Sequence, residues 1–238
     1  MRHRQPAGAS EPSPAPPYAD FSRRIRRWFR AHGRDLPWRR TRDPYRVLVS
    51  ELMLQQTQVI RVVPKYAEFL RRFPTLEAIS AAPPSRVISA WSGLGYYARA
   101  RNLHALARTV CEGGHGGPAG TMPSDPAALR RLPGVGAYTA GAVASFAFER
   151  RAALVDTNVA RVLRRVFAPD ADLRTTHGSR RLWAIAEEAL PRTGRAAWAH
   201  NQGVMELGAR ICTARVRHCA ACPVRSVCET FASDPVAT

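Results

Sequence analysis

Residues 132–148 read LPGVGAYTAGAVASFAF, a turn containing Pro and Gly followed by a run of helix-forming residues. Apolar residues also recur at helical spacing before the turn, at Leu129 and Leu132, so the sequence predicts two helices joined by a short hairpin. Gly134 and Gly136 let another backbone approach the turn, and the second helix begins with N–H groups that lack partners within the helix. Such a hairpin is able to bind a phosphate group, although similar turns also occur without any ligand.

The rest of the chain shows the same helical period and no convincing strand pattern, so the expected fold class is all-α. Asp43 followed by Pro44 is typical of a helix start, because Asp accepts hydrogen bonds from the first turn and Pro has no N–H to leave unpaired. Residues 1–17 are rich in Pro, Ala and Ser and predict a disordered tail. The other predicted helices cover residues 21–29, 47–54, 63–73, 85–91, 98–110, 138–148, 159–167, 182–190 and 198–211.

The charge of the chain is strongly positive: its 238 residues include 36 Lys and Arg against 18 Asp and Glu, a formal net charge of +18. Such a field attracts polyanions, of which nucleic acid is the commonest for a basic protein. A genome biased toward Arg would explain why Lys65 is the only lysine, but not the excess of basic residues. No apolar run approaches the roughly 20 residues of a membrane span, and no signal peptide is evident. We therefore expect a cytoplasmic, nucleic-acid-binding protein with no membrane partner.

Four of the five cysteines lie near the C-terminus with the spacing Cys-x6-Cys-x2-Cys-x5-Cys. Disulfides seldom persist in the cytoplasm, so metal binding is the better interpretation. Zinc usually takes two separated pairs of ligands, whereas four unevenly spaced thiolates in one loop better suit an iron–sulfur cluster. The alternative is a chance grouping of small hydrophobic residues. The four are Cys212, Cys219, Cys222 and Cys228, and the fifth, Cys111, fits an ordinary buried thiol on a helix.

Two carboxyl groups stand in apolar helical patterns. Glu51 shares a helix face with Val47 and Leu54, so it is either a paired core residue or an acid kept protonated by an apolar pocket. Asp156 directly precedes the helical pattern of residues 159–167, where capping of the helix N-terminus would be a sufficient role.

Three of these features together resemble the adenine DNA glycosylase (MutY) family of the helix-hairpin-helix, or endonuclease III, superfamily: the cysteine spacing, the hairpin and the segment SELMLQQTQ at residues 50–58. The resemblance covers residues 18–231. It implies a two-lobed fold in which residues 39–148 form a six-helix barrel domain. Residues 18–38 and 149–238 would form the second lobe, an iron–sulfur cluster domain.

The resemblance also implies what the cysteine loop binds. In this family the four cysteines hold a [4Fe–4S] cluster that folds the loop and presents basic residues to DNA phosphates. The matching basic residues here are Arg215, Arg217 and His218.

The catalytic roles that the family assigns fall on Glu51, Asp156 and the hairpin position occupied by Tyr138. The glutamate protonates the departing adenine at N7, and the aspartate stabilises the sugar cation that forms. Bifunctional relatives carry a lysine at the hairpin position, and a tyrosine cannot form the imine that leads to strand cleavage. We therefore expect a monofunctional enzyme. Thr157 departs from the glycine that many members carry, which bears on the shape of the loop beside Asp156.

The family places several side chains around the flipped adenine and its partner base. Taken alone, Trp38 would fit the core, Arg39 a solvated surface, and Tyr96 a capped surface helix. By resemblance, Gln56 and Thr57 probe the helix interior and the opposing purine, and Tyr96 is an aromatic wedge beside the oxidised guanine. Gly134 and Gly136 would bind a DNA phosphate. The full expected set of substrate-binding residues is Trp38, Arg39, Leu54, Gln56, Thr57, Tyr96, Asn158 and Glu206.

The implied function is base excision repair: hydrolysis of the N-glycosidic bond of adenine mispaired with 8-oxoguanine or guanine in double-stranded DNA, by a monomer. A T:G or U:G mismatch thymine or uracil glycosylase of the same fold stays an alternative, since some of these also carry tyrosine at the hairpin. A non-enzymatic iron–sulfur DNA-binding redox sensor is a third, but it would need neither Glu51 nor Asp156. Typical members continue into a Nudix-like domain that recognises 8-oxoguanine, and this sequence ends at Thr238, so we expect weaker discrimination of that base.

Overall fold

The computed structural model describes residues 17–114 and 116–234, and in these ranges it contains α-helices, short 3-10 turns and no strand. The predicted tail, residues 1–17, lies outside the described residues except for Pro17, which precedes the first helix. No helix in the described part of the chain is long and apolar enough to cross a membrane. The helices are α1 Tyr18–His32, α2 Pro44–Leu54, α3 Val59–Arg72, α4 Leu76–Ala81, α5 Pro84–Ala90, α6 Ala98–Cys111, α7 Pro126–Leu129, α8 Ala137–Phe148, α9 Thr157–Phe167, α10 Thr176–Glu188, α11 Gly194–Arg210 and α12 Glu229–Ser233.

The all-α prediction is confirmed, and each predicted helix has a counterpart. The predicted start before α2 is confirmed in detail, because the Asp43 carboxylate accepts hydrogen bonds from the N–H groups of Tyr45 at 2.9 Å and Arg46 at 3.2 Å. Two helices had no predicted counterpart, α4 and α12, which are too short to display a hydrophobic period. The helix predicted from residue 182 begins earlier, after the cap Thr175.

The helices pack in two groups. Helix α2 lies against α3, α6 and α8, and α6 also packs on α4 and α5. Helix α11 lies against α1 and α9, while α10 and α12 pack on α9. A contact between α8 and α11 joins the groups. The lobe boundaries at residues 39–148, 18–38 and 149–238 stay a prediction.

Two glycines, one on α8 and one on α11, allow close packing against the start of α9 and the segment before it. A side chain at Gly141 would place its Cβ 2.0 Å from the carbonyl oxygen of Ala153, in the segment that leads into α9. A side chain at Gly208 would place its Cβ 2.8 Å from the Cβ of Asn158, in the first turn of α9. Only glycine permits these approaches. The first approach holds the segment before Asp156 against the helix that carries Tyr138.

Candidate active site

One cleft of about 1120 Å³ contains the three predicted catalytic side chains. Glu51 reaches it from the last turn of α2, Tyr138 from the first turn of α8, and Asp156 from the N-cap of α9. These residues are far apart in the sequence, so their meeting is a property of the packing. Seven of the eight predicted substrate-binding residues also line the cleft: Trp38, Arg39, Leu54, Gln56, Thr57, Asn158 and Glu206.

The carboxyl group of Glu51 is buried, with 3% of the residue exposed. Its partner is the phenol of Tyr138, which donates a hydrogen bond to Oε2 at 2.5 Å. Burial raises the pKa of Glu51 to about 7; the Tyr138 hydrogen bond opposes this rise, and the nearby charge of Asp156 adds to it. Of the two interpretations of the sequence, the burial and the raised pKa favour the second, in which Glu51 is an acid that keeps its proton close to neutral pH.

Asp156 is half-buried at the N-terminus of α9. Its Oδ1 accepts a hydrogen bond from the Val159 N–H at 2.7 Å, and its Oδ2 accepts one from the Asn158 side chain at 3.1 Å. Burial raises the pKa of Asp156, and the bonds from Val159 and Asn158 oppose that rise. The predicted capping role is therefore confirmed, and the same carboxylate lines the cleft.

A chain of hydrogen bonds leads from Asp156 to the cysteine loop. The Asn158 side chain donates to Asp156 and accepts from Arg161 Nη2 at 2.7 Å. The Nε of Arg161 donates to the carbonyl oxygen of Cys212 at 2.8 Å. Arg165, one turn further along α9, donates from Nη1 to the Cys212 sulfur at 3.2 Å. Helix α9 therefore connects the two sites through its polar face.

An ion-paired network lines the cleft on the side of α11. Glu206 has no exposed surface, and both of its carboxylate oxygens accept from arginines. Arg34 donates to Oε1 at 2.7 Å and to Oε2 at 2.9 Å, and Arg39 donates to Oε2 at 2.9 Å. Burial raises the pKa of Glu206, but the Arg34 hydrogen bond and the Arg39 charge outweigh it and hold the pKa below its ordinary value.

Two members of this network were missed by the sequence analysis, Arg34 and Gln202, which accepts from Arg39 Nε at 2.8 Å. Neither stands in a motif, because their partners are distant in the chain. Arg34 is the more accessible of the two pairing arginines, with 36% of its side chain exposed against 9% for Arg39. Trp38 is buried and packs edge-on against Tyr66, so it is a core residue with one edge on the cleft.

The predicted probes of the partner base lie beside the cleft, around a second surface pocket. Gln56 and Thr57 border both the cleft and this pocket, whereas Tyr96 borders the pocket alone. Tyr96 is 60% exposed, and Gln56 is exposed as well. Both have a left-handed backbone, with φ of 49° for Tyr96 and 55° for Gln56, an uncommon conformation for residues other than glycine.

The hairpin has the features of the predicted phosphate site. Gly134 has φ of +74°, and a Cβ there would lie 2.6 Å from the Asn102 side chain. Gly136 caps α8 without a side-chain hydrogen bond, and a Cβ on it would meet no atom within 4 Å. There is thus open space beside Gly136 at the N-terminus of α8, and phosphate binding at the hairpin stays a prediction.

The four clustered cysteines line one small cavity together with apolar side chains of α9 and α11. All four are half-buried free thiols. Cys111 lies apart from them, at the C-terminal end of α6. Of the basic residues between the first two cysteines, Arg215 and His218 are exposed, whereas Arg217 pairs with Asp234 at 3.1 Å.

Lys65 is not placed to replace a catalytic lysine. It lies on α3, its Nζ pairs with Glu68 at 3.1 Å, and it is not among the residues that line the cleft.

Comparison with known proteins agrees with this fold. A family model described as HhH-GPD superfamily base excision DNA repair protein matches residues 49–188. An adenine DNA glycosylase of Homo sapiens is 45% identical over 214 residues, which are 84% of this chain and 37% of that protein. One from Mycobacterium tuberculosis is 40% identical over 215 residues, 90% of this chain and 69% of that protein. The solved structure of a thermostable thymine-DNA glycosylase superposes with a TM-score of 0.80 at 32% identity, covering 91% of this chain and 97% of that one.

The chain thus belongs to the HhH-GPD superfamily of base excision DNA repair proteins. Within that superfamily the chain belongs to the adenine DNA glycosylase family. It spans a little over a third of the length of the human relative.

Proposed function

We propose that this protein is a monofunctional DNA glycosylase that hydrolyses the N-glycosidic bond of adenine mispaired with 8-oxoguanine or guanine. The observation that carries the proposal is the pairing of two carboxyl groups in one cleft, Glu51 with a pKa of about 7 and Asp156 at a helix N-terminus. Glycoside cleavage needs such a pair, one group to protonate the leaving group and one to stabilise the sugar cation. Membership of the adenine DNA glycosylase family supports adenine as the nucleobase that is removed.

Each of the cleft's functional side chains has a task in this reaction. The target adenine leaves the base stack and enters the cleft, because its bond cannot be reached inside the duplex. Protonated Glu51 donates to adenine N7 while the Tyr138 phenol orients its carboxyl group. As the C1′–N9 bond breaks and its electron pair leaves with adenine, the Asp156 carboxylate stabilises the positive charge on the sugar, and the dipole of α9 favours that ionised form. A water molecule then adds to C1′ and gives its proton to the Glu51 carboxylate left by the first transfer, so that an abasic site remains. Arg34, Arg39 and Glu206 form a rigid polar wall for the base.

The proposal is tested by incubating the protein with duplexes containing A:8-oxoguanine, A:G, T:G or U:G and then cleaving with alkali. We expect scission at adenine only. A thymine glycosylase is the second candidate, and the similarity to the solved thymine-DNA glycosylase favours including it. Scission at the T:G or U:G duplex, with adenine left intact, would replace our proposal by that candidate.

The pH dependence of excision follows from Glu51. Because burial holds its pKa at about 7, the protonated form persists to neutral pH and is lost above it. We expect the single-turnover rate to be flat from pH 5.5 to about 6.5 and then to fall about tenfold per pH unit on the alkaline side. A rate that stays constant from pH 7 to 9 would show that Glu51 is not the proton donor.

Borohydride trapping separates hydrolysis from strand cleavage. Since Tyr138 occupies the hairpin position and Lys65 pairs with Glu68, we expect no covalent protein–DNA adduct after reduction during turnover. Lys65→Arg removes the only ε-amine of the chain and serves as the matched control. If the natural chain forms an adduct and Lys65→Arg does not, Lys65 is a nucleophile. That result would contradict a monofunctional enzyme.

We further propose that Cys212, Cys219, Cys222 and Cys228 hold a [4Fe–4S] cluster. The donor set fits, because four free thiols surround one apolar-walled cavity. In the described residues no three His, Cys, Asp or Glu side chains are placed to hold a single metal ion. Four unevenly spaced cysteines in one loop suit a group with four irons better than one zinc, which usually takes two close pairs of ligands. The cluster would order the loop that carries the exposed Arg215 and His218.

Iron analysis tests the cluster. We expect about four irons and four sulfides per chain after anaerobic purification. Cys222→Ser should lose most of the iron and loosen the loop, whereas Cys111→Ser, the matched control outside the loop, should keep it. One zinc per chain in place of iron would contradict the proposal.

Double-stranded DNA containing a mismatch is the proposed partner, bound through the excess positive charge and the α8 N-terminus. We propose that the protein acts as a monomer in the cytoplasm of a bacterium, on DNA of the nucleoid.

A further inference from the structure

The side chain of Arg99, in the first turn of α6, is the centre of an unusual set of hydrogen bonds. The residue is only 7% exposed. Its Nη1 donates to the carbonyl oxygens of Leu52 at 2.7 Å, Met53 at 2.9 Å and Gln55 at 2.5 Å. The first two belong to the last turn of α2, where carbonyls lack partners within the helix, and Gln55 is its C-cap. Arg99 thus caps the helix that carries Glu51.

The other two nitrogens of the same guanidinium bind a second segment, and Nε donates to the carbonyl oxygen of Tyr96 at 3.4 Å. Its Nη2 donates to the carbonyl oxygens of Leu94 and Gly95, both at 3.0 Å, and to the Thr57 hydroxyl at 3.2 Å. The positive charge also lies 5.5 Å from the centre of the Tyr96 ring. One planar group therefore connects residues 52–57 to residues 94–96.

Two of these carbonyls hold special positions. They belong to Gln55 and Gly95, which immediately precede Gln56 and Tyr96 in the chain. Gln56 and Tyr96 are two of the three described non-glycine residues with positive φ. A left-handed backbone at such residues persists only when surrounding contacts hold it. Arg99 supplies such a contact on the carbonyl before each one. Both side chains are exposed at the same surface pocket.

We propose that Arg99 is a positioning residue that holds Gln56 and Tyr96 as a preformed pair of probes for entering the double helix beside a mispair. The inference rests on the proposed function and names the residue that prepares the chain to open the base stack. Lysine cannot take this role, because an ammonium group offers three donors from one point rather than a planar fork with two separated nitrogens.

The probes matter only while the target base is stacked. A bulged adenine without a partner base is already easy to unstack. Its excision depends on Glu51 and Asp156 but little on the probes. The ratio of the two excision rates, A:8-oxoguanine over bulged adenine, therefore separates positioning of the probes from damage to α2 and Glu51.

The experiment compares Arg99→Lys with Arg108→Lys, an exposed arginine on the same helix that pairs with Glu112. Single-turnover excision is measured on both duplexes. We expect Arg99→Lys to lose at least about tenfold on A:8-oxoguanine, the scale of a probe displaced by a fraction of an ångström. The bulged adenine should be excised at close to the natural rate, and Arg108→Lys should match the natural chain on both. Equal losses of Arg99→Lys on the two duplexes, or none, would overturn the proposal.

Hydrogen exchange of the free protein gives a readout that needs no catalysis. Amides of residues 56–57 and 94–97 should exchange faster in Arg99→Lys than in Arg108→Lys, while the centre of α8 stays protected in both. Unchanged exchange in those segments would contradict the positioning role even if the natural chain excised no adenine. Thr57→Val removes one acceptor of Nη2 and is the milder variant if Arg99→Lys does not fold. Because Thr57 itself borders the cleft, its readout is hydrogen exchange, and we expect the amides of residues 94–97 to exchange faster than in Arg108→Lys. Unchanged exchange of residues 94–97 in Thr57→Val would count against the proposal.

Discussion

Glu51→Gln is expected to lower single-turnover excision of adenine by about 10³-fold or more, within the range that a general acid contributes in combination with leaving-group departure. The amide has nearly the shape of the acid and can accept the Tyr138 hydrogen bond, but it has no proton to give to adenine N7. Binding of the mispaired duplex should stay within a few fold of the natural chain. Gel-shift titration and rapid-quench excision on the same A:8-oxoguanine duplex measure the two quantities.

The stability of the same variant shows whether the loss is chemical. The folded-state pKa of Glu51, about 7, lies above the roughly 4.3 of an unfolded glutamate, so folding opposes ionisation of this group. The stability that the natural chain owes to the neutral acid is present below pH 4 and is lost as the pH rises to 7. Glu51→Gln avoids that loss, so its Tm at pH 8 should equal or exceed that of the natural chain.

Glu112 follows α6 as its C-cap and pairs with Arg108 on the surface, so Glu112→Gln is the control for the amide substitution. It should leave excision unchanged. Excision by Glu51→Gln at the natural rate would remove Glu51 from the mechanism. A fall in Tm at pH 8, with a parallel loss of binding, would instead show that Glu51 is a structural core residue.

Asp156→Asn is the second variant with a very large expected effect, again about 10³-fold in single-turnover excision. The substitution removes the negative charge that faces the sugar cation. Because Asn caps a helix about as well as Asp, the N-terminus of α9 should keep its hydrogen bond to Val159 and the fold should be little changed. The capping role and the chemical role can therefore be separated in one residue.

Asp43→Asn makes the same exchange at the N-cap of α2, a helix of the same length, 11 residues. It should match the natural chain in rate and in Tm. If Asp156→Asn also keeps the natural rate, Asp156 is a helix cap and nothing more. If Asp156→Asn loses much more Tm than Asp43→Asn, its loss of activity reflects damage to α9 and not the missing charge.

Part of this molecule could be predicted from local pattern alone. Helical periodicity predicts α2, α6, α8, α9 and α11, because burial of one face needs only the spacing of apolar residues along the chain. The caps Asp43 and Asp156 could be predicted for the same reason, since a cap bonds to residues two or three positions away. The hairpin and the cysteine loop are likewise contiguous, and the family could be identified from them.

What the sequence by itself determined is therefore the all-α class, the family and the residue types available for chemistry. The tertiary structure alone decided their surroundings. Arg34 meets Glu206 across 172 positions, and Arg99 bonds mainly to backbone carbonyls, which every residue possesses, so neither pairing leaves a sequence pattern. The pKa of Glu51 depends on how completely α2 and α8 exclude water from it. Exclusion of solvent is a property of packed surfaces, and it exists only after the chain has folded.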